Sequence, residues 1–160
     1  MADVDPSHFR QLLGRFTTGV VVITTRFPDG RPVGMTANSL ASVSLQPPLI
    51  SVCVEHEADM RGALLAAPGF IINILSAGQE AVSRRFAGLH EDRFDGVGYR
   101  LSPRGLVILE GTLAHLECDR YAEFEAGDHT IFVGRVVEGD IADGRPLIYY
   151  RGGYTELGRP

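Results

Sequence analysis

Three short hydrogen-bonding side chains, Thr36, Asn38 and Ser39, stand around Ala37 in the stretch Gly34-Met-Thr-Ala-Asn-Ser-Leu. Hydroxyls, an amide and the backbone N–H groups of a strand junction together suit an anionic or polar-edged ligand. The same cluster also suits an Asx or Ser/Thr turn between two strands, its commoner use. Further on, Gly127-Asp128-His129 sets an imidazole beside a carboxylate. Such a pair invites a hydrolytic dyad, but no serine or cysteine sits in a recognisable nucleophile elbow, so that chemistry is rejected. Without a partner, His129 reads as a surface histidine in a tight turn. Cys53 and Cys118 fall in no CxxC or metal spacing, and His115 with Cys118 makes only two ligands, so no metal site is expected. Cys53 lies in an apolar run, as a buried small hydrophobe does.

What the chain lacks narrows the chemistry further. All fifteen basic residues are arginine. The absence of lysine removes Schiff-base catalysis, hence the usual pyridoxal phosphate chemistry, and the P-loop lysine. There is no tryptophan, so stacking on a planar ligand falls to Phe, Tyr, His or an apolar wall. A net charge of −5 argues against nucleic-acid binding, which needs a basic face. Apolar runs such as Gly19 to Ile23 and Leu49 to Val54 are too short to span a bilayer. The start, Met1-Ala-Asp-Val-Asp-Pro, is acidic and polar rather than signal-like, so a cytoplasmic location and no disulfide are expected.

The elements that must position these residues follow from periodicity. With 160 residues and 44% hydrophobic content, one domain over 1–160 is expected. Pro6 to Phe16 reads as a helix, with Phe9, Leu12, Leu13 and Phe16 on one stripe. Val20 to Thr25 is a strand, and Pro28-Asp29-Gly30 turns it into a second at Val33 to Thr36. Leu40 to Leu45 alternates like a half-buried strand, and Pro47-Pro48 breaks the chain before Leu49 to Val54. Helices are predicted at Ala58 to Ala67 and Gln79 to Ala87, with a strand from Gly69 between them. Gly88 to Pro103 reads as a loop. Leu106 to Cys118, Thr130 to Val137 and Leu147 to Tyr150 read as the remaining strands. Many strands with short connections predict a mainly β, antiparallel barrel or sandwich with a few short helices. No GxGxxG follows a strand, so a Rossmann nucleotide site is not expected.

The segment from Gly34 to Val54 closely resembles the signature of the short-chain flavin reductase family, the reductase components of two-component flavin monooxygenases. Phe9 to Val20, Phe70-Ile-Ile-Asn-Ile-Leu, Ser83-Arg-Arg-Phe-Ala, Gly127-Asp-His-Thr-Ile-Phe-Val-Gly and Pro146 to Tyr154 follow in the family's order. The resemblance implies a split β-barrel of Greek-key type and a homodimer with flavin near the subunit interface. It implies that Thr36, Ala37, Asn38 and Ser39 contact the flavin ring and ribityl chain. Ser51, Val52 and Cys53 would meet the pyrimidine edge through their strand backbone, although an ordinary core strand reads the same way. Ser83, Arg84, Arg85 and Phe86 match the segment near the flavin phosphate, which an arginine fork suits. Neighbouring helical residues point about 100° apart, so Arg84 and Arg85 do not easily share one phosphate, and Arg84 is preferred. An arginine pair on a solvated helix face is the plainer alternative. His129 would face the nicotinamide, and Tyr154 would close over flavin or nicotinamide or else anchor a terminal loop. One departure stands out: Glu55-His56-Glu57-Ala58-Asp59-Met60 replaces a Ser/Thr-rich segment, and its carboxylates would repel a phosphate.

The implied activity is hydride transfer from NADH or NADPH to FMN or FAD, with reduced flavin passed to a partner oxygenase. Cofactors carry such chemistry, while the protein supplies stacking, orientation and water exclusion. This suits a sequence without an acid–base pair or nucleophile. The rivals are a flavin carrier or sensor, an FMN-dependent oxidase of the pyridoxamine-phosphate type, and a β-barrel interaction module without cofactor.

Overall fold

In the computed structural model, which describes residues 3–89 and 91–158, strands dominate and the helices are short. Asp5 caps the first helix, α1 (Pro6–Leu13), by accepting from the Ser7 and His8 N–H groups at 3.0 and 3.1 Å. Pro6 occupies its first turn, where a missing N–H costs nothing. The expected stripe of Phe9, Leu12 and Leu13 is present, but none of it is buried, and Phe16 beyond it is 73% exposed.

After the two-residue β1 (Thr18–Gly19), β2 (Val21–Arg26) and β3 (Pro32–Ala37) form the expected hairpin, and β4 (Ala41–Leu45) precedes β5 (Pro48–Glu55). The expected helices and the strand between them appear as α2 (Asp59–Ala66), β6 (Gly69–Ile74) and α3 (Glu80–Ala87). Four expectations need correction. Tyr99–Leu101, assigned to a loop, is β7 and pairs with β8 (Val107–Leu109). The single strand expected over Leu106 to Cys118 is broken near Gly111, whose φ of +74° turns the chain before β9 (Ala114–Ala126). The strand expected at Thr130 is the much longer β10 (His129–Ile141). Charged residues on the exposed parts of β9 and β10 break the alternation that marks a strand in sequence. β11 (Ile148–Tyr150) is likewise not the last strand, because Arg151 and Gly152 turn it into β12 (Gly153–Thr155).

Seven strands form the main sheet in the order β3-β2-β6-β9-β10-β5-β4. β2 is buried on both faces, which is why its run is β-branched throughout instead of alternating. Val21 and Ile23 join a core with α2 and Phe132, while Val20 and Val22 join a second with Phe86 of α3 and Val107 of β8. Buried Asn73 ties these layers together. Its amide donates to Val22 O and Thr24 Oγ1 at 3.0 Å each, and its Oδ1 accepts from the Leu109 N–H at 2.8 Å. No described helix is long and apolar enough to cross a membrane.

Candidate functional site

β3 and β4 are the two edges of the main sheet, yet only Asn38, Ser39 and Leu40 separate them in the chain. Around this connection opens a cleft of about 710 Å³. Met35 to Ser39 form one wall, and Cys53 and Glu55 of β5 form another. The α2 entry (Glu57 to Met60), the end of α3 (Phe86 and Ala87) and the following loop (Leu89 and Arg93) close two further sides, and His129 stands at the start of β10. A smaller hollow of about 180 Å³ lies against the same Thr36-Ala37-Asn38 segment, lined also by Val20, Ala87, Tyr149 and Tyr154.

Hydrogen bonds hold these walls in place. Ser39 Oγ accepts from the Cys53 N–H at 2.9 Å, bridging the connection to β5. Thr36 Oγ1 donates to Ser83 O at 2.6 Å, and Ser83 Oγ bonds Tyr154 Oη at 2.7 Å. Tyr154 is therefore anchored to α3 and lines the smaller hollow. The Arg84 guanidinium sits 4.8 Å from the Tyr154 ring centroid and pairs with Glu80 at 2.7 Å.

The His129 turn is built from its own hairpin and the facing loop. Gly127, with φ of +63°, reverses the chain between β9 and β10. His129 Nδ1 lies 2.6 Å from Asp128 Oδ1, which orients the ring and sets its tautomer. That hydrogen bond holds the Asp128 carboxyl below the usual carboxylate range. The turn is bolted to the β5–α2 loop: the His56 N–H donates to Asp128 O at 3.0 Å, and His56 Nε2 pairs with Glu125 at 2.6 Å. Glu125 also accepts from Arg61 and Thr130 at 3.0 Å each, and the Arg61 hydrogen bond is the main reason its carboxyl is lowered.

Of the residues singled out in sequence, Thr36, Ala37, Asn38, Ser39, Cys53, Phe86 and His129 converge on the large cleft. Ser83 and Tyr154 support it from behind, through Thr36. Ser51, Val52, Arg84 and Arg85 do not line it. Ser51 lies between Ala41 of β4 and Val133 of β10, so its strand is interior there rather than an open backbone edge. Val52 is fully buried, because even-numbered residues of β5 face the core. Arg85 donates to the Arg93 and Asp92 carbonyls at 2.8 and 2.9 Å and so shapes the loop after α3. The preferred Arg84 lies on the exposed side of α3, where it pairs with Glu80 and sits over the Tyr154 ring. The cation at the cleft is instead Arg93, which the sequence reading passed over inside a Gly- and Asp-rich loop. Glu55, Glu57 and Asp59 of the acidic segment also line the cleft.

Residues 13–158 match the family model described as the flavin reductase like domain. The chain belongs to this family. It is 41% identical over 152 residues to a flavin reductase of Pseudomonas putida, covering 94% of this chain and 89% of that one. It is 40% identical over 155 residues to HsaB, the reductase subunit of a flavin-dependent monooxygenase from Rhodococcus jostii, covering 96% and 79%. Among solved structures, the NADH:FAD oxidoreductase SgcE6 of Streptomyces globisporus, in complex with NAD and FAD fragments, superposes with a TM-score of 0.91. That match has 39% identity and covers 99% and 98% of the two chains.

The cleft has the make-up a flavin requires of such a family member. A planar tricyclic ring needs apolar faces, and Met35, Ala37 and Ala58 supply them, backed by the buried Met60 and Phe86. Its polar edge and ribityl chain need short hydrogen-bonding groups, present as Asn38 and Ser39. Its phosphate needs a cation. Arg93 donates Nη1 to Gly34 O at 2.9 Å, and among the described residues no carboxylate pairs with it.

Proposed function

We propose that this chain is an NAD(P)H-dependent flavin reductase that moves a hydride from NADH or NADPH to FMN or FAD and supplies reduced flavin to a partner flavin-dependent monooxygenase. The observation that carries this reading is the convergence of the Thr36 to Ser39 wall, the apolar slot and the Asp128-oriented His129 on one cleft. A bound flavin supplies the hydride acceptor. The protein's part is to hold two rings face to face and keep water out, which is worth roughly 7–11 kcal/mol at the upper limit. Asn38 and Ser39 take the polar edge, Met35, Ala37 and Ala58 cover the faces, Arg93 meets the phosphate end, and His129 walls the nicotinamide side. Ser83 and Tyr154 keep Thr36 in register. Glu55 and Glu57 turn phosphates away from the β5 side of the cleft.

The finer architecture follows the same reading. A flat seven-stranded sheet would hold its edge strands about 29 Å apart, at roughly 4.8 Å per strand. Four steps of chain from Ala37 to Ala41 reach at most about 14 Å. The sheet therefore curls until its edges nearly meet, as a Greek-key split barrel in one domain, with the flavin cleft at the seam. The exposed stripe of α1 supports a homodimer, since large apolar side chains at half or more exposure want cover. A cytoplasmic location matches the supply of reduced flavin to a separate oxygenase.

Anaerobic stopped-flow absorbance tests the activity. Flavin-loaded protein mixed with NADH or NADPH should bleach its visible band far faster than free flavin does, and His129→Ala should slow the bleaching while flavin still binds. Binding without accelerated reduction by either nucleotide would reduce the chain to a flavin carrier.

A further inference from the structure

The acidic segment after β5 contains a histidine that the cleft does not use. His56 stands between Glu55 and Glu57, which both line the cleft, but it is not itself part of the lining. Its ring reaches the β9–β10 hairpin instead, where His56 Nε2 lies 2.6 Å from Glu125 Oε2. A carboxylate only accepts, so the Nε2 proton belongs to His56. The other oxygen of Glu125 is committed as well. Oε1 accepts from Arg61 Nη2 of α2 and from Thr130 Oγ1 of β10, at 3.0 Å each. Arg61 Nε donates to Thr130 Oγ1 at 2.8 Å, so that hydroxyl receives one proton and gives one. A single carboxylate thus joins α2, the loop before it and both strands of the hairpin.

This hub reaches His129 through a short relay. His129 pairs with Ala126 across the hairpin and with Glu55 of β5, and these are the last rungs before the turn. Asp128 lies past them with its side chain 92% exposed, so the sheet does not hold it. The His56 N–H does, donating to Asp128 O at 3.0 Å. Asp128 Oδ1 in turn lies 2.6 Å from His129 Nδ1 and orients the ring. Glu125 therefore secures His56, His56 secures Asp128, and Asp128 sets the imidazole plane. Exposed pairs of this kind add little to stability. Their effect is directional, because the hub fixes three elements relative to one another. His129 and the Glu57 to Met60 wall share the cleft, so their separation is the width of the slot between them.

We propose that Glu125, with Arg61 and His56, is a positioning assembly for His129. None of the three lines the cleft, and together they set the tilt of the imidazole against the nicotinamide. The proposal rests on the reductase reading, and its test separates the two.

Glu125→Leu removes the hub, and Arg61→Met, which reaches it from α2, is the second variant. Each is made in the wild-type protein and in His129→Ala. Anaerobic stopped-flow at saturating nucleotide reads the rate of flavin reduction, flavin fluorescence reads the flavin dissociation constant, and thermal denaturation reads stability. Glu125→Leu should slow reduction by about tenfold, short of the roughly 100-fold that a 1 Å misplacement can cost. Flavin should bind as in wild type, because Thr36 and Ser39 are tied to Ser83 and Cys53 and not to this hub. Arg61→Met should act in the same way but less, since Thr130 and His56 still hold Glu125. In the His129→Ala background neither substitution should slow reduction further. A pair that serves stability alone would lower the melting temperature and slow both backgrounds by the same factor. That result, or wild-type rates in both single variants, overturns the proposal. A wild-type protein that neither NADH nor NADPH reduces faster than free flavin would instead bring down the reading beneath it.

Discussion

Gly34 is the position where one added methyl should disturb the cleft most. A Cβ there would lie 2.5 and 2.6 Å from two ring carbons of Phe86 and 3.2 Å from Phe94. Its φ is outside the positive region, so space rather than backbone conformation decides the outcome. Ordinary contact begins at 3.4 Å, so the nearest Phe86 carbon must retreat by about 0.9 Å, the difference between those distances. Phe86 is fully buried and stands edge-on to Phe94 at 4.9 Å, which blocks retreat on that side. On its other side the ring backs the lining of the cleft, and that is the direction left to it. Overpacking of this kind costs about 1–3 kcal/mol, and for a chain this size that lowers the melting temperature by roughly 2–12 °C. A ring displaced by nearly 1 Å into the slot should also slow flavin reduction by up to roughly 100-fold. Thermal denaturation and stopped-flow reduction of Gly34→Ala, Phe86→Leu and the double variant measure both effects. Leucine vacates the ring's space, so the double variant should be more stable than the summed singles by about 0.5–3 kcal/mol. Strict additivity, or a Gly34→Ala protein that melts and turns over like wild type, would refute the packing argument.

The cysteines and the carboxylates of the His129 turn give two further tests. Burial pushes the Cys118 thiol up to about 12, whereas half-buried Cys53 lines the cleft. Native protein treated with a thiol alkylator should gain one adduct, at Cys53, more slowly when saturated with FMN, and a second only on denaturation. Two rapid native adducts, or no protection by FMN, would contradict the site. Glu125 and Asp128 are both lowered on folding, chiefly by hydrogen bonds from Arg61 and His129. Such groups stabilise the folded state above their unfolded values and lose that contribution as pH falls through the folded ones. The melting temperature should therefore hold at neutral pH and fall below the ordinary carboxylate range, about pH 4. Combining Glu125→Gln with Asp128→Asn should flatten that acid limb, and an unchanged limb would assign it to other carboxylates such as Asp119.

Much of this molecule was readable from its residues because the signals are local. The β-branched run of β2, the Pro28-Asp29-Gly30 turn and the helix before Gly88 appear within a residue or two of their expected ends. The i, i+4 spacing of Glu80 and Arg84 is likewise local, and the two pair on the exposed face of α3. β7 and β12 were missed because each is three residues long and owes its pairing to a partner strand more than to any pattern of its own.

The amino-acid sequence alone determined the mainly β character and the exclusion of lysine chemistry, and its family resemblance picked out most of the segments that meet at the cleft. Only the tertiary structure decided which members of those segments meet. Periodicity tells which side of its own element a residue occupies, and it is silent on which distant element stands opposite. So Thr36 to Ser39 share a cleft with His129 because the β3–β4 connection, β5 and the β9–β10 turn come together there, a matter of long-range pairing. Arg93 faces the cleft because Arg85 fixes its loop and Gly34 lends it a carbonyl. Ser51 is excluded because β5 acquires neighbours on both sides there, and Val52 because it faces the core. Each is settled by a contact between residues far apart in the chain, which local pattern does not encode.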